Sequence, residues 1–191
     1  VIVSGRSKLD LTDWFEDEPF NLAAEHGAFN HKVGRQRWQS AREMDNSWLD
    51  VVLPILQVYT EKTPGAHVET KDSAVVWHYR KASPFYAQKH LVILKRLLAR
   101  YAKRYDLVIE QGNMILEIRG HGATKGHVAE EWMKHEPSFV IAIGDDYTDE
   151  DMFRALPDWA NTIKVGRGRT AARLRLPNTD KVLALLEKLA K

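Results

Sequence analysis

Apolar and polar positions change period repeatedly along the 191-residue chain, and each change marks an element. Val1–Ser4 reads as a buried parallel strand, and Leu9, Leu11, Trp14 and Phe15 then suggest a short helix. Residues 20–25 read as a second strand ending at His26-Gly27, and residues 28–39 as a hairpin turning around 32–34. Trp48, Val51, Val52, Ile55, Leu56 and Tyr59 recur at helical spacing, which predicts an amphipathic helix over 47–62, stopped by Thr63-Pro64-Gly65. Strands follow near 67–71 and 74–79, joined by Lys71-Asp72-Ser73. Pro84 opens a long helix whose inner stripe is Leu91, Leu94, Leu98, Tyr101 and Tyr105. Residues 107–111 and 114–119 read as a hairpin around Gly112-Asn113, a pair suited to a tight turn. A helix over 125–135 precedes the apolar run Phe139-Val140-Ile141-Ala142-Ile143, read as a buried strand. A helix over 148–155, a strand at 163–165 and a closing helix over 180–190 complete the chain, the last with Val182, Leu183, Leu186 and Leu189 facing inward.

The order of these elements carries architecture. Both ends alternate strand and helix, the pattern of a parallel sheet with helices on its faces. The middle runs hairpin, helix, hairpin, helix, hairpin, so it reads as a separate α+β lobe inserted into that sheet. Composition narrows the class. Apolar content of 44% and charged content of 28% are ordinary for a globular chain, and the net charge of +2 demands no nucleic-acid or membrane partner. With no cysteine, disulfides, thiolate metal sites and cysteine nucleophiles are excluded, and a cytoplasmic setting fits. No apolar run reaches membrane-spanning length. The first residue is Val1, already inside a strand, so the reading expects further residues upstream.

The densest chemistry is Gly144-Asp145-Asp146-Tyr147-Thr148-Asp149-Glu150-Asp151, placed just after the 139–143 strand. It crowds carboxylates at the carboxyl end of a strand expected to be central, where ligands of open α/β sheets bind. Thr148 is positioned to N-cap the following helix. Crowded carboxylates repel unless a cation offsets them, and magnesium suits such oxygens. Ser4-Gly5-Arg6 follows the first strand, and the Gly5 amide can approach an anion closely because no Cβ intervenes. Lys125-Gly126 begins a helix, and a lysine there adds charge to the positive dipole end, a seat for phosphate. The eight histidines show no zinc spacing, and His121 and His127 flank Lys125 without a third ligand. His26 reads as structural, the basic stretch Arg167, Arg169, Arg173, Arg175 as a solvated loop, and the six tryptophans as mostly core-facing.

Together these motifs resemble the haloacid-dehalogenase phosphatase superfamily and, within it, the trehalose-6-phosphate phosphatases. The resemblance spans nearly the whole chain. It rests on Val3-Ser4-Gly5-Arg6, Ala24-Glu25-His26-Gly27-Ala28, Val68-Glu69-Thr70-Lys71 and Val76-Trp77-His78-Tyr79-Arg80. It rests further on Leu116-Glu117-Ile118-Arg119 with Lys125-Gly126, on the run from Ile143 through Phe153, and on Val165-Gly166 with Thr170-Ala171-Ala172. The resemblance implies a Rossmann-like core with a parallel sheet, incomplete at its N-terminus, over 1–29 and 118–191, and an inserted α+β cap over 30–117 that sets specificity. It implies a magnesium-dependent phosphomonoesterase acting on trehalose 6-phosphate through an aspartyl-phosphate, with the site closing between core and cap.

On this resemblance Ser4, Gly5, Arg6 and Lys125 bind phosphate, Ser4 and Lys125 having catalytic parts. Asp145 binds magnesium and Asp149 supports the metal shell. Glu69, Lys71, Arg80 and Glu117 bind the sugar. One motif is missing. The family's nucleophile lies in Asp-x-Asp-Gly-Thr upstream of Ser-Gly-Arg, and Asp10-Leu11-Thr12-Asp13 follows the wrong strand to supply it. The reading therefore expects the attacking group upstream and this stretch alone to be inactive. Two alternatives stay open: a phosphatase of another sugar phosphate, and an inactive phosphatase-like module of a trehalose-synthesis complex. A fused or associated trehalose-phosphate synthase domain is the expected partner, with no nucleic acid and no membrane.

Overall fold

The period changes map onto elements in the order β1 (Ile2–Val3), α1 (Lys8–Phe15), β2 (Leu22–Ala24), β3 (Phe29–His31), β4 (Gln39–Ser40), α2 (Leu49–Glu61), β5 (His67–Thr70), β6 (Ala74–His78) and α3 (Pro84–Tyr105). They continue as β7 (Leu107–Gly112), β8 (Ile115–Gly120), α4 (Lys125–Met133), β9 (Ile141–Gly144), α5 (Asp149–Ala155), β10 (Asn161–Val165), β11 (Leu174–Leu176) and α6 (Thr179–Leu189). The structure is a computed structural model and describes residues 1–15, 17–41, 45–122 and 124–190. It divides into a continuous unit, Gly5–Ala123, and a split unit of Val1–Ser4 with Thr124–Lys191.

In the continuous unit, β5, β6, β8 and β7 form an antiparallel sheet in that order. Strand alternation gives this sheet two unlike faces. Val75, Trp77, Leu116 and Ile118 point one way and pack with Trp48, just before α2, with Val52 and Leu56 from α2, and with Leu91, Leu94 and Leu98 from α3. Burial of this cluster is the unit's main stabilising term. The opposite face carries, in lateral register, Glu69, Val76, Glu117 and Glu110, with Arg119 beside Ala74 and Val108 in the next row. A second, smaller antiparallel set joins β2 to β3 and β3 to β4. The loop 32–38 closes the β3–β4 hairpin where the sequence expected a turn. The β2–β3 turn, a 3-10 turn over Glu25–Gly27, was not expected.

In the split unit, β11, β10 and β9 form a parallel sheet. Ala142, Phe153, Leu156 and Ala160 make its core. Gly126 lets α4 approach α5, since a Cβ there would lie 3.0 Å from the Asp151 carbonyl oxygen. A slot of about 220 Å³ is lined by Val1, Val3, Val128, Trp132, Ile141 and Ile143, among others.

Several expectations change. Among the described residues β9 is an edge strand of its sheet, not a central one, and Phe139 is exposed rather than buried. Helix α6 buries no side chain completely: Leu183, Leu186 and Leu189, expected to face inward, are 59%, 47% and 52% exposed. Of the tryptophans, Trp48 and Trp77 are buried, but Trp14 and Trp159 are largely exposed. The segment after Ser4 falls within the continuous unit, Gly5–Ala123. Within it, Glu25 and Gly5 are tied to Ser73 and Lys71.

Candidate active site

Helix α4 begins at Lys125, after Thr124 turns out of extended backbone and its hydroxyl accepts the His127 amide at 3.2 Å. Lys125 is only 8% exposed, and its Nζ donates to Asp149 Oδ1 at 2.8 Å. Asp149, 5% exposed, opens α5. Its other oxygen, Oδ2, accepts the Asp146 amide at 2.8 Å. Gly144 is needed here, because a Cβ would lie 2.2 Å from Asp149 Cγ. The acidic turn after β9 is thus folded around one carboxylate, which a buried lysine neutralises.

That arrangement revises the sequence argument about crowded charge. Asp146 Oδ1 accepts the Tyr147 amide, Glu150 Oε2 accepts the Ala171 amide at 2.6 Å, and Asp151 lies 3.5 Å from Arg154. The protein itself absorbs most of the repulsion. Asp145 stands apart, exposed at the carboxyl end of β9. Its carbonyl oxygen takes the Lys164 ammonium at 2.5 Å. Lys164 was missed by sequence reasoning, although a lysine inside the apolar strand Asn161–Val165, paired in register with Gly144, was the available signal. Thr148 occupies the N-cap position of α5 but makes no capping bond, and its hydroxyl is buried without a partner among the described residues. Both Asp149 oxygens are engaged, Oδ1 by Lys125 and Oδ2 by the Asp146 amide, so Asp149 positions Lys125 and the turn. Among the described residues no group of three or more histidine, aspartate or glutamate side chains is arranged to hold a metal. Magnesium, however, binds through one or two carboxylates, retained waters and substrate oxygens, and the exposed Asp145 fits that demand.

In the continuous unit the sugar-binding candidates gather on the polar face of the antiparallel sheet. Glu117 is buried, with Oε2 3.4 Å from His26 Nε2 and Oε1 3.4 Å from Lys71 Nζ. Lys71 Nζ also donates to the Gly5 carbonyl at 2.9 Å. Burial pushes the Glu117 carboxyl up, but the His26 bond and the charges of His26, Lys71 and Arg119 outweigh it and bring it down to about 2. Arg119 in turn donates to Glu110 at 3.2 Å. Glu69, in the same lateral row as Glu117, has its carboxylate Oε2 2.7 Å from His78 Nε2, and His78 stacks on His67 with ring centroids 4.6 Å apart. Arg80 is not part of this row. It lies past the end of β6 and donates to the Asn113 carbonyl at 3.1 Å.

The Ser4-Gly5-Arg6 segment divides. Ser4 belongs to the split unit, Gly5 and Arg6 to the continuous one. Arg6 stacks its guanidinium 4.5 Å from the Trp14 ring centroid. Gly5 has a reason to be glycine beyond anion approach: a Cβ there would sit 2.5 Å from His26 Nε2. His26, read as structural from sequence, therefore touches both Gly5 and Glu117. Sequence reasoning gave Glu25 and Ser73 no role and read His26 as structural; the signal for Glu25 and His26 lay in the Glu25-His26-Gly27 corner before a strand reversal.

With this geometry in view, the comparisons are specific. Residues 1–180 match the trehalose-phosphatase family. The bifunctional trehalose-6-phosphate synthase/phosphatase of Thermoproteus tenax is 37% identical over 189 residues, which is 98% of this chain and 26% of that protein. This chain thus spans about a quarter of the curated relatives it matches. The C-terminal domain of Candida albicans trehalose-6-phosphate phosphatase superposes with a TM-score of 0.88 at 31% identity, covering 99% of this chain and 77% of that one. A haloacid dehalogenase-like hydrolase from Bacteroides thetaiotaomicron, 14% identical, shares the fold with a TM-score of 0.71 over 98% of this chain and 85% of that one. The chain has a Rossmann-like haloacid-dehalogenase fold with an α+β cap and belongs to the trehalose-phosphatase family.

Proposed function

We propose that this chain grips the phosphate and reads the sugar in a phosphatase that converts trehalose 6-phosphate and water to trehalose and phosphate. The observation that carries the reading is Lys125, buried at the N-terminus of α4 and paired with Asp149 beside the carboxyl end of β9. A pre-oriented ammonium there, with the helix dipole behind it, stabilises a transferring phosphoryl group. Ser4, Gly5 and Arg6 supply further hydroxyl, amide and guanidinium donors. Asp145 would hold magnesium, which when bound neutralises phosphate charge. Glu69, Lys71 and Glu117 offer alternating acceptors and donors for sugar hydroxyls. Arg80, held at the sheet's end, is an outlying member of that set. We assign residues 1–29 and 118–191 to the core and 30–117 to the cap on functional grounds.

The attacking aspartate is assigned to a strand preceding Val1. The apolar residues Val1, Val3, Val140, Ile141 and Ile143, which line a slot beside β1 and β9, support this. In the proposed reaction the carboxylate oxygen bonds to phosphorus as the bond to the sugar oxygen breaks. A second aspartate protonates that oxygen, and water then cleaves the acyl phosphate. A synthase domain, fused or associated, belongs to the proposal, since the Thermoproteus relative is named for both activities. No helix among the described residues is long and apolar enough to cross a membrane, and we place the protein in the cytoplasm.

The test is phosphate release from trehalose 6-phosphate by this chain and by the chain extended upstream through an apolar strand bearing paired aspartates. Release is expected only from the extended protein, and only with magnesium. Steady release from residues 1–191 alone overturns the assignment of the attacking group. No release from the extended protein overturns the function.

A further inference from the structure

The Glu25–Gly27 corner is costly in conformation and has no part in the reading above. Three consecutive residues have positive φ: Glu25 at 49°, His26 at 60° and Gly27 at 104°. Only the glycine adopts this region freely, so Glu25 and His26 are strained and persist because their surroundings fix them. Those surroundings are explicit. The Glu25 carboxylate accepts the Ser73 amide at 2.7 Å and the Ser73 hydroxyl at 2.6 Å, in the turn just after Lys71. The Glu25 amide donates to the Arg6 carbonyl at 2.9 Å. The corner therefore clamps the segment after Ser4 to the β5–β6 turn. The clamp delivers the His26 ring into a buried position against the bare Cα of Gly5, with Nε2 toward Glu117.

We propose that His26 is a positioning residue for substrate recognition, holding Glu117 and, through Glu117, the ammonium of Lys71 in the geometry that meets the sugar. The contacts close a ring: His26 packs on Gly5 and reaches Glu117, Glu117 meets Lys71, and Lys71 returns to the Gly5 carbonyl. A histidine serving packing alone would satisfy both ring nitrogens. Here Nδ1 is buried with no partner among the described residues, so the strained corner gains its return at Nε2. The charged groups around the ring are Glu117 and Arg119 from β8, Lys71 from the β5–β6 turn and Glu25 from the corner itself. The inference rests on the reading of Glu117 and Lys71 as sugar-recognising groups. It adds that the sugar-reading set and the Gly5 carbonyl are one mechanical unit, with His26 at its hinge.

Two measurements test it. In residues 1–191, carbon NMR of the Glu117 carboxylate follows its titration in wild type, His26→Ala and His26→Gln. The midpoint is expected to rise from about 2 toward 4.5 in His26→Ala and to stay lower in His26→Gln, which keeps a donor. An unchanged midpoint in His26→Ala overturns the contact. In the phosphatase carrying this chain, His26→Ala should raise KM for trehalose 6-phosphate about tenfold more than KM for an aryl phosphate, the effect of one charge-assisted hydrogen bond. His26→Gln should recover most of that difference. Equal losses on both esters, with no rescue by glutamine, overturn the positioning role and leave His26 structural. A wild-type enzyme indifferent to the sugar overturns the recognition reading, while the carboxylate titration still decides whether His26 holds Glu117.

Discussion

Glu117 shows how the charges around a single buried carboxylate bear on stability. Desolvation alone would favour its neutral form, yet His26, Lys71 and Arg119 around it keep it ionised and bring its pKa from 4.5 to about 2. A folded-state value below the unfolded one means the native state releases its proton more readily. The contribution is therefore complete above pH 4.5 and is lost as pH falls toward 2. A shift of that size is worth about 3 kcal/mol. Urea unfolding at descending pH should show this loss in wild type, and Glu117→Gln should be less stable at neutral pH but flatter below pH 4.5. Parallel acid limbs in the two proteins would show that the ring around Glu117 does not hold it ionised.

At the scale of elements, the Lys125–Asp149 pair fastens the start of α4 to the turn between β9 and α5. Removing one partner of a buried pair strands the other charge and costs about 3–5 kcal/mol. Asp149→Asn should therefore lower stability by that amount, whereas Asp145→Asn, at an exposed position, should stay within about 0.5 kcal/mol. The two variants separate roles that sequence merged. In the proposed phosphatase carrying this chain, Asp145→Asn should raise the magnesium concentration needed for half-maximal phosphate release, and Asp149→Asn should cut turnover at every magnesium concentration. Thermal melts and magnesium titrations of both proteins decide the matter. The sequence showed where these groups lie because glycine and carboxylates after an apolar run mark a strand end. It could not show which carboxylate a lysine twenty-four residues earlier would neutralise, because that pairing depends on how α4 packs against α5 through Gly126. Likewise the helices α2 and α3 and the strands β5–β8 were legible in periodicity and turn residues. The corner at Glu25–Gly27 was not, since a glutamate carries no local preference for positive φ and a histidine only a modest one, and tertiary bonds hold both there.

For the molecule as a whole, burial is uneven, and local stability should follow it. In the continuous unit, β6 and β8 are the inner strands of their sheet, and Val75, Trp77, Leu116 and Ile118 lie under α2 and α3 with almost no exposure. Their amides open only with the loss of that cluster. Helix α6 differs in kind. Its start is well made, with Asn178 accepting the Lys181 amide at 3.2 Å, and its sequence is amphipathic, which is why an inward leucine stripe was expected. Yet it buries no residue fully, so little but its own propensity and cap holds it, and helices of this length are marginal alone. Hydrogen exchange on residues 1–191 should find the amides of β6, β8 and α3 slowest, and those of α6 exchanging by local fraying orders of magnitude sooner. Truncation after Asn178 should then leave the slow set unchanged. Equal protection in α6 and α3 would mean that the exposed Leu183, Leu186 and Leu189 stripe is covered in solution, and the stability of this end would have to be sought in contacts beyond this chain's own fold.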